Sequence, residues 1–324
     1  MPLVSRLIAS ALCASLVLPV AAHAQSYPSR PIKLVVPFPP GGATDMLGRI
    51  MADKLAERLG QPVIVENKPG AGGTIGSLQV ARAQADGHTL VLGVTGTHAI
   101  SHSLYSKPAY DPVRDFAAIS RLVTGSQVLV VNPAVPATSL ATFIGHLRAH
   151  PGKLTYGSSG NGTALHLTGE LFAMHTGTDM LHVAYKGTAE LVTALLSGQI
   201  DAVFASPSNV VSYLDTGRLR FLATTGSGRD PKLASVPTMR EAGLPDFEVL
   251  SWQGLFAPAG TPPAIVDRLH AATVAILSLP DVRDALTAHG FVASPMTPQA
   301  FQAFVSSEKD RWRAVVQRAG VRVD

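Results

Sequence analysis

Cysteine is almost absent: Cys13 is the one thiol in 324 residues, and it falls in an N-terminal segment expected to be removed. The remaining chain has no disulfide and no cysteine metal ligand, so its own core must hold the fold. About 300 residues is ample for that and is more than one core usually holds, so two lobes are expected. Runs of like charge are missing too. The 26 Lys and Arg nearly balance the 22 Asp and Glu, for a net of +4 that becomes +3 without Arg6. With the basic residues scattered and no aromatics interleaved among them, nucleic acid is excluded as a partner. Beyond the N-terminus no apolar run is long enough to span a bilayer.

Several catalytic signatures lack a decisive residue. Gly157 and Gly162 have the glycine spacing of a nucleotide P-loop, but Thr163 stands where the phosphate-binding lysine belongs. Gly160 and Gly162 begin a dinucleotide fingerprint that Leu165 breaks. From Gly157, a nucleophile elbow would use Ser159, but Asn161 replaces its second glycine. His98 and His102 are four apart as in a zincin helix, yet Ala99 takes the place of the general base. They read instead as a polar loop residue and a helix-surface residue. No histidine or acidic cluster completes a metal site, and no cofactor is expected.

What is present begins with a leader. Arg6, the apolar stretch Leu7–Val20 and Ala22-His23-Ala24 make a secretory signal over residues 1–24, with cleavage after Ala24. Leu12 before Cys13 argues against a lipoprotein site. The rest alternates short apolar strands with helices, and glycine and proline punctuate it. Ile32–Phe38, the stretch PVIVEN and Thr89–Val94 read as strands, and the segment from Met46 to Leu59 has helical spacing. A second series starts at Gln127–Pro133. It continues through a helix capped by Thr138, the strand LTYG, a glycine loop, another helix, and the strands MLHVAYKG, IDAVFAS and RLRFLATTG. Three helices close the chain, two opening at Thr261-Pro262 and Thr297-Pro298 and one at Pro280. This is the α/β class, with mixed sheets covered by helices.

GGATDMLGRIMADKL and GTALHLTGELFAMH align so that Asp45 falls on His166. If that repeat is real, two similar lobes face each other through glycine loops at the carboxyl ends of strands, where open α/β sheets bind ligands. The loop Ser158–Thr163 offers bare amides and hydroxyls ahead of a helix start, which suits a carboxylate. In the first loop, Phe38, Pro39 and Pro40 form an apolar wall and Gly41 and Gly42 expose amides. Asp45 either serves its own helix N-terminus or faces the cleft. Thr95 and Thr97 end another strand. Asp201 begins one, and as a buried acid it needs partners, the 158–163 amides among the candidates. Tyr185 and Lys186 could add a hydroxyl or a cation, while Trp252 is expected to pack beneath a crossing between lobes.

YPSRPIKLVVPFPPGGATD, VENKPGAGGTIG, YGSSGNGTALHL, YKG, GQIDAVF and VPTMREAGLPDFEVLSWQGLFAPAGTP together resemble the extracytoplasmic solute receptors of tripartite tricarboxylate transporters, in order from about Tyr27 to the C-terminus. The resemblance implies a two-lobed Venus-flytrap periplasmic binding protein, type II-like, with two crossovers. The lobes would be 25–125 with 240–324, and 126–239. It implies a monomeric receptor rather than an enzyme, working with membrane permease subunits. Its ligand would be citrate or another carboxylate, an amino acid, a nicotinate-like compound or an aromatic acid. The family holds the ligand carboxylate between two glycine loops, partly through water. The matching positions are Phe38, Pro39, Pro40, Gly41, Gly42, Thr44 and Asp45 in one loop. In the other they are Ser158, Ser159, Gly160, Asn161, Gly162 and Thr163, with His166 nearby, and Thr95, Thr97 and Asp201 as secondary contacts. A periplasmic sensor, or a hydrolase using Ser159, remains the alternative.

Overall fold

The computed structural model describes residues 27–322; the leader and Cys13 lie outside them. Two sheets organise the chain. The first runs β11-β4-β10-β3-β1-β2, built from β1 (Ile32–Val36), β2 (Val63–Asn67), β3 (Thr89–Val94), β4 (Phe116–Ser126), β10 (Leu250–Pro258) and β11 (Val292–Ala293). The second runs β7-β6-β8-β5-β9, from β5 (Val128–Val131), β6 (Thr155–Ser158), β7 (Leu181–Ala184), β8 (Ala202–Ala205) and β9 (Arg220–Thr224). In the first, β1 is parallel to both β2 and β3, and β10 lies antiparallel between β3 and β4. In the second, β6 is parallel to both β7 and β8, and β5 lies antiparallel between β8 and β9. One pattern is thus built twice, with β1 and β6 in corresponding places.

Helices follow the parallel strands. They are α1 (Ala43–Leu59) after β1, α2 (Thr74–Ala81) after β2, α4 (Ala164–Thr176) after β6 and α5 (Thr188–Ser197) after β7. The others are α3 (Leu140–Ala149), α6 (Pro263–Leu277), α7 (Pro280–Ala288) and α8 (Pro298–Ala319). Buried faces explain the pairing. Leu47, Met51 and Leu55 of α1 pack with Leu34 and Val36 of β1 in one core cluster. Leu167 and Phe172 of α4 pack with Tyr156 and Phe204 in another.

Two expected caps are off by one residue. The cap of α3 is Ser139, in a capping box with Thr142, rather than Thr138, because Thr142 is the residue placed to return the bond. Helix α6 starts at Pro263 with Pro262 as its cap, and the Thr261 hydroxyl donates to the Pro258 carbonyl at 2.8 Å instead. Thr297 and Pro280 stand as expected. His98 is a larger correction. It is not a loop residue but fully buried, stacked 4.2 Å from the Phe256 ring, in a π-helical turn Gly96–Ile100 that leads into Ser101–Leu104.

The chain passes between sheets at Gln127 and again between Val249 and Leu250. Thr225 ties the two passages: its hydroxyl accepts from the Gln127 amide at 2.9 Å and donates to the Val249 carbonyl at 2.6 Å. Phe247, just before the return, packs on Phe172 and Phe204 beside the second sheet.

Candidate functional site

The carboxyl ends of β1, β3, β6, β7 and β8 converge on a cavity of about 300 Å³ between the two sheets. Ligand sites in open α/β sheets lie at such ends. The sheet and helix pattern brings the same device there from each side. Gly41 and Gly162 both have left-handed φ, +86° and +73°. Each N–H is caught by the side chain four residues on: Gly41 N donates to Asp45 Oδ2 at 2.9 Å, and Gly162 N donates to His166 Nδ1 at 3.0 Å. The Asp45–His166 correspondence read from the sequence is therefore a structural one. In both lobes a strand ends, a left-handed glycine turns the chain, and a helix starts with its positive end toward the cavity.

Asp45 is committed to that task. It is 4% exposed, takes two bonds from Arg49 at 3.0 and 3.1 Å, and one from Asn67 at 2.9 Å. The Arg49 bonds hold its carboxyl down to about 2, with the Gly41 and Asn67 bonds adding to the effect. It braces the loop from behind and does not line the cavity. Of its neighbours, Phe38 and Thr44 line the cavity, while Pro39, Pro40, Gly41 and Gly42 are exposed outside it.

In the second loop Ser159, Asn161, Gly162 and Thr163 line the cavity. Ser158 and Gly160 shape the turn from within. The Ser158 hydroxyl donates to the Gly160 carbonyl at 2.9 Å and accepts from the Gly160 amide at 3.2 Å. Thr163 caps α4. The amides of Ala164 and Leu165, its first two residues, have no protein acceptor among the described residues, and both residues line the cavity. These are the donors available to an anion. Thr95 lines the cavity too, but its hydroxyl is spent on the Trp252 amide at 2.9 Å. Thr97 is buried behind it, bonded to Val94 and to His98 Nδ1.

Asp201 is misplaced by the sequence expectation. Its carboxylate accepts from the Thr155 amide and hydroxyl at 2.8 and 2.9 Å. Thr155 begins β6 and Asp201 directly precedes β8, so the pair sits at the opposite end of the sheet from the cavity. It braces two strand starts. Tyr185 and Lys186 do not line the cavity, whereas Trp252 does, with its ring buried against Phe301.

Sequence reasoning missed Thr188 and Ser206, which follow β7 and β8 as Ser159 follows β6. The rule that strand ends carry the site would have found both. It also missed Gly72, Gly96, Leu104 and the β10 residues Ser251 and Gln253, for which no local pattern exists. Among the described residues, none that lines the cavity is Asp, Glu, Lys, Arg or His. Among the described residues no group of three or more His, Cys, Asp or Glu could hold a metal, and no helix is long and apolar enough to cross a membrane.

Behind the second loop is a buried polar cluster. His166 and His182 stack at 3.7 Å, and His182 Nε2 meets the Ser158 hydroxyl at 2.7 Å. Because the Gly162 amide donates to it, His166 Nδ1 carries no proton. Burial lowers both imidazoles to about 4, with the His182 ring adding to the effect at His166, and burial lowers His98 to about 3. All three are thus neutral in the fold and take up protons more readily when unfolded, near the ordinary value of 6.5. Their contribution to stability is complete above pH 6.5 and falls as pH drops from 6.5 toward 4. The expected result is a melting temperature that declines through that window, less steeply in His182→Phe. A flat thermal scan between pH 7 and 4.5 would contradict it.

Residues 47–321 match the model of the tripartite tricarboxylate transporter family receptor. Protein BugT of Bordetella pertussis is 36% identical over 301 residues, 93% of this chain and 92% of BugT. The structure of Rpa4515 of R. palustris with adipate has a TM-score of 0.80 at 36% identity, covering 91% of this chain and 99% of that one. MatC of Rhodopseudomonas palustris with bound malate has a TM-score of 0.77 at 37% identity, covering 90% and 100%.

Proposed function

This chain belongs to the tripartite tricarboxylate transporter receptor family, and from that premise we propose that it captures a small organic carboxylate in the periplasm and presents it to membrane permease subunits. The observation that carries the reading is the doubled helix start, with left-handed glycines at Gly41 and Gly162 and free amides at Ala164 and Leu165. Relatives of the same architecture hold adipate and malate, which supports a carboxylate here.

We take the two lobes expected from the sequence, 25–125 with 240–324 and 126–239, as the moving parts, with the inner boundaries drawn instead where the chain changes sheet, at Gln127 and between Val249 and Leu250. Solute enters from the side where the strands end. Its carboxylate exchanges water for the α4 amides and the hydroxyl of Ser159, while Thr163 stays committed to the Gly160 carbonyl and the α4 cap, and the first-lobe loop closes over it. Closure bends the chain at the two passages tied through Thr225, and is favoured only by contacts made in the closed form. Donors already fixed by Asp45 and His166 spare the complex much of the ordering cost. The receptor acts as a monomer, and the closed form is what the permease recognises. Nothing in the cavity supplies an activated nucleophile: Ser159 has no histidine or acid beside it in the lining, which disfavours a hydrolase.

The test is calorimetry of the mature protein against mono- and dicarboxylates that include adipate and malate. One or more should bind. Because the attraction comes from fixed dipoles inside a closed cavity rather than from side-chain charge, affinity should change less than about threefold between 20 mM and 500 mM salt. Absence of binding throughout would reject the reading. A deletion strain that keeps uptake of the bound acid would favour a sensor over a transport receptor.

A further inference from the structure

The cavity has a second set of donors, away from the α4 amides. They stand on its floor, where β10 enters the first sheet. Gln253 pairs with Val94, the last residue of β3, so Ser251 lies past the end of that strand. Residues two apart on a strand share a face, and both side chains line the cavity. Gln253 is 7% exposed. Its Oε1 is sealed beneath the surface without a partner, so the cavity meets the Nε2 end of the amide. No acceptor among the described residues takes the Nε2 protons. Ser251 is set from behind: the fully buried Gln127 donates its Nε2 to the Ser251 hydroxyl oxygen at 3.3 Å. That oxygen is engaged, and the hydroxyl proton has no acceptor among the described residues.

Two adjacent, nearly enclosed donors without acceptors call for a partner. The group that satisfies both is an oxygen with free lone pairs and no proton of its own. A methyl group would cover the donors and leave them dry, at the full cost of their desolvation. An ammonium has only protons to offer, and its charge would meet no acidic side chain in the lining. A ligand hydroxyl can accept from the floor, but its own proton finds Gln253 Oε1 sealed and the Ser251 oxygen engaged by Gln127. A carbonyl or carboxylate oxygen has neither defect.

Resting on the carboxylate-receptor reading, we infer that Gln253 and Ser251 are specificity-determining residues for the far end of the ligand. They select acids that carry a second, proton-free oxygen acceptor, a carbonyl or a second carboxylate, over acids with a methyl, hydroxyl or amino group in that place. The α4 amides take the first carboxylate and the floor takes the second oxygen. An acid without that oxygen makes the first contact and strands two donors. Sites built to hydrogen-bond a substrate group discriminate well against analogues that leave the site's own polar groups unpaired.

The experiment is calorimetry of the mature protein with three matched sets of probes. They are propionate, lactate, alanine, pyruvate and malonate; valerate, γ-hydroxyvalerate, γ-aminovalerate, levulinate and glutarate; and the para-substituted benzoates bearing methyl, hydroxymethyl, aminomethyl, formyl and carboxylate groups. In at least one set the carbonyl or the dicarboxylate member should bind about tenfold or more tightly than the methyl, hydroxyl and amino members, a difference of one hydrogen-bonded group. Whichever of the two is tighter identifies the oxygen. Gln253→Met, which keeps length and bulk but removes the amide, should narrow that ratio to about threefold or less, and Ser251→Ala should narrow it in the same direction. If acids bind but their affinities within each set lie within about twofold, or the hydroxyl or amino member is the tightest, the inference is overturned while the carboxylate reading survives. An undiminished ratio in both variants also overturns it. If no acid in any set binds, both readings fall. The comparison within the natural protein decides the matter even if a variant does not fold.

Discussion

Gly162→Val is expected to abolish binding of any carboxylate while both lobes stay folded. Two features of this glycine act together. Its φ of +73° is a conformation that a β-branched residue adopts only under strain, at a cost of about 1–3 kcal/mol in any state of the protein. The second feature belongs to the approach of the lobes. A Cβ at this position would lie 2.3 Å from Leu104 Cδ1, across the cavity from lobe two to lobe one. Leu104 is only 5% exposed and lines the same cavity, so relief of the contact either swings its side chain into the ligand space or parts the lobes. Both outcomes take the α4 amides away from a bound carboxylate. A loss of about a hundredfold or more in affinity follows, close to 3 kcal/mol, with a smaller drop in melting temperature. Small-angle scattering should record a larger radius of gyration in the variant. Leu104→Ala should restore part of the affinity of Gly162→Ala, since contacting residues do not act additively. Unchanged affinity in Gly162→Val would remove this loop from the site.

Glu308→Leu is expected to be the most damaging single change to stability outside the glycine turns. The two tryptophans of the chain converge on this one carboxylate: Trp252 Nε1 and Trp312 Nε1 each donate to Glu308 Oε2 at 3.1 Å, and Arg311 reaches Oε1 at 3.3 Å. All but the arginine are buried, with Glu308 6% exposed and the indoles 1% and 0%. Leucine leaves both indole N–H groups without an acceptor, at about 1–3 kcal/mol apiece. In a chain of this size that lowers the melting temperature by roughly 10 °C. Glutamine keeps a carbonyl oxygen for one or both indoles and should lose less than half as much. Equal losses in the two variants would mean that packing, not hydrogen bonding, is what Glu308 supplies. Because Trp252 also floors the cavity, the leucine variant should show some weakening of ligand binding at temperatures where it is folded.

How legible these features are in the sequence depends on how far apart their parts lie along the chain. Strand runs such as Thr89–Val94 match their expected bounds because apolar continuity and the flanking turn residues are local facts. The Asp45–Gly41 and His166–Gly162 contacts are also legible, since each spans four residues and one alignment relates them. The Ser139 and Pro262 caps differ from expectation by one residue, because the decision rests on which hydroxyl geometry the first turn accepts, and adjacent threonines and serines look equivalent on paper. His98 was hidden for another reason: its ring is enclosed by Phe116 and Phe256, which arrive from distant strands. Asp201 misled because an acid at a strand boundary reads the same at either end of a sheet. Gln253 and the Trp252–Glu308–Trp312 junction depend on the return of β10 into the first sheet, which no short window contains.

Among the described residues no Asp, Glu, Lys, Arg or His lines the cavity, and under the proposed carboxylate capture this bears on delivery as well. A carrier that grips its cargo through a lysine or arginine must break an ion pair to let go, or wait for a proton. In the proposed receptor the hold would be a matter of orientation: the α4 peptide dipoles aimed into the cavity lose their target once the lobes swing apart. Unloading can therefore be driven by mechanical opening, without help from a local change in acidity or from a competing ion.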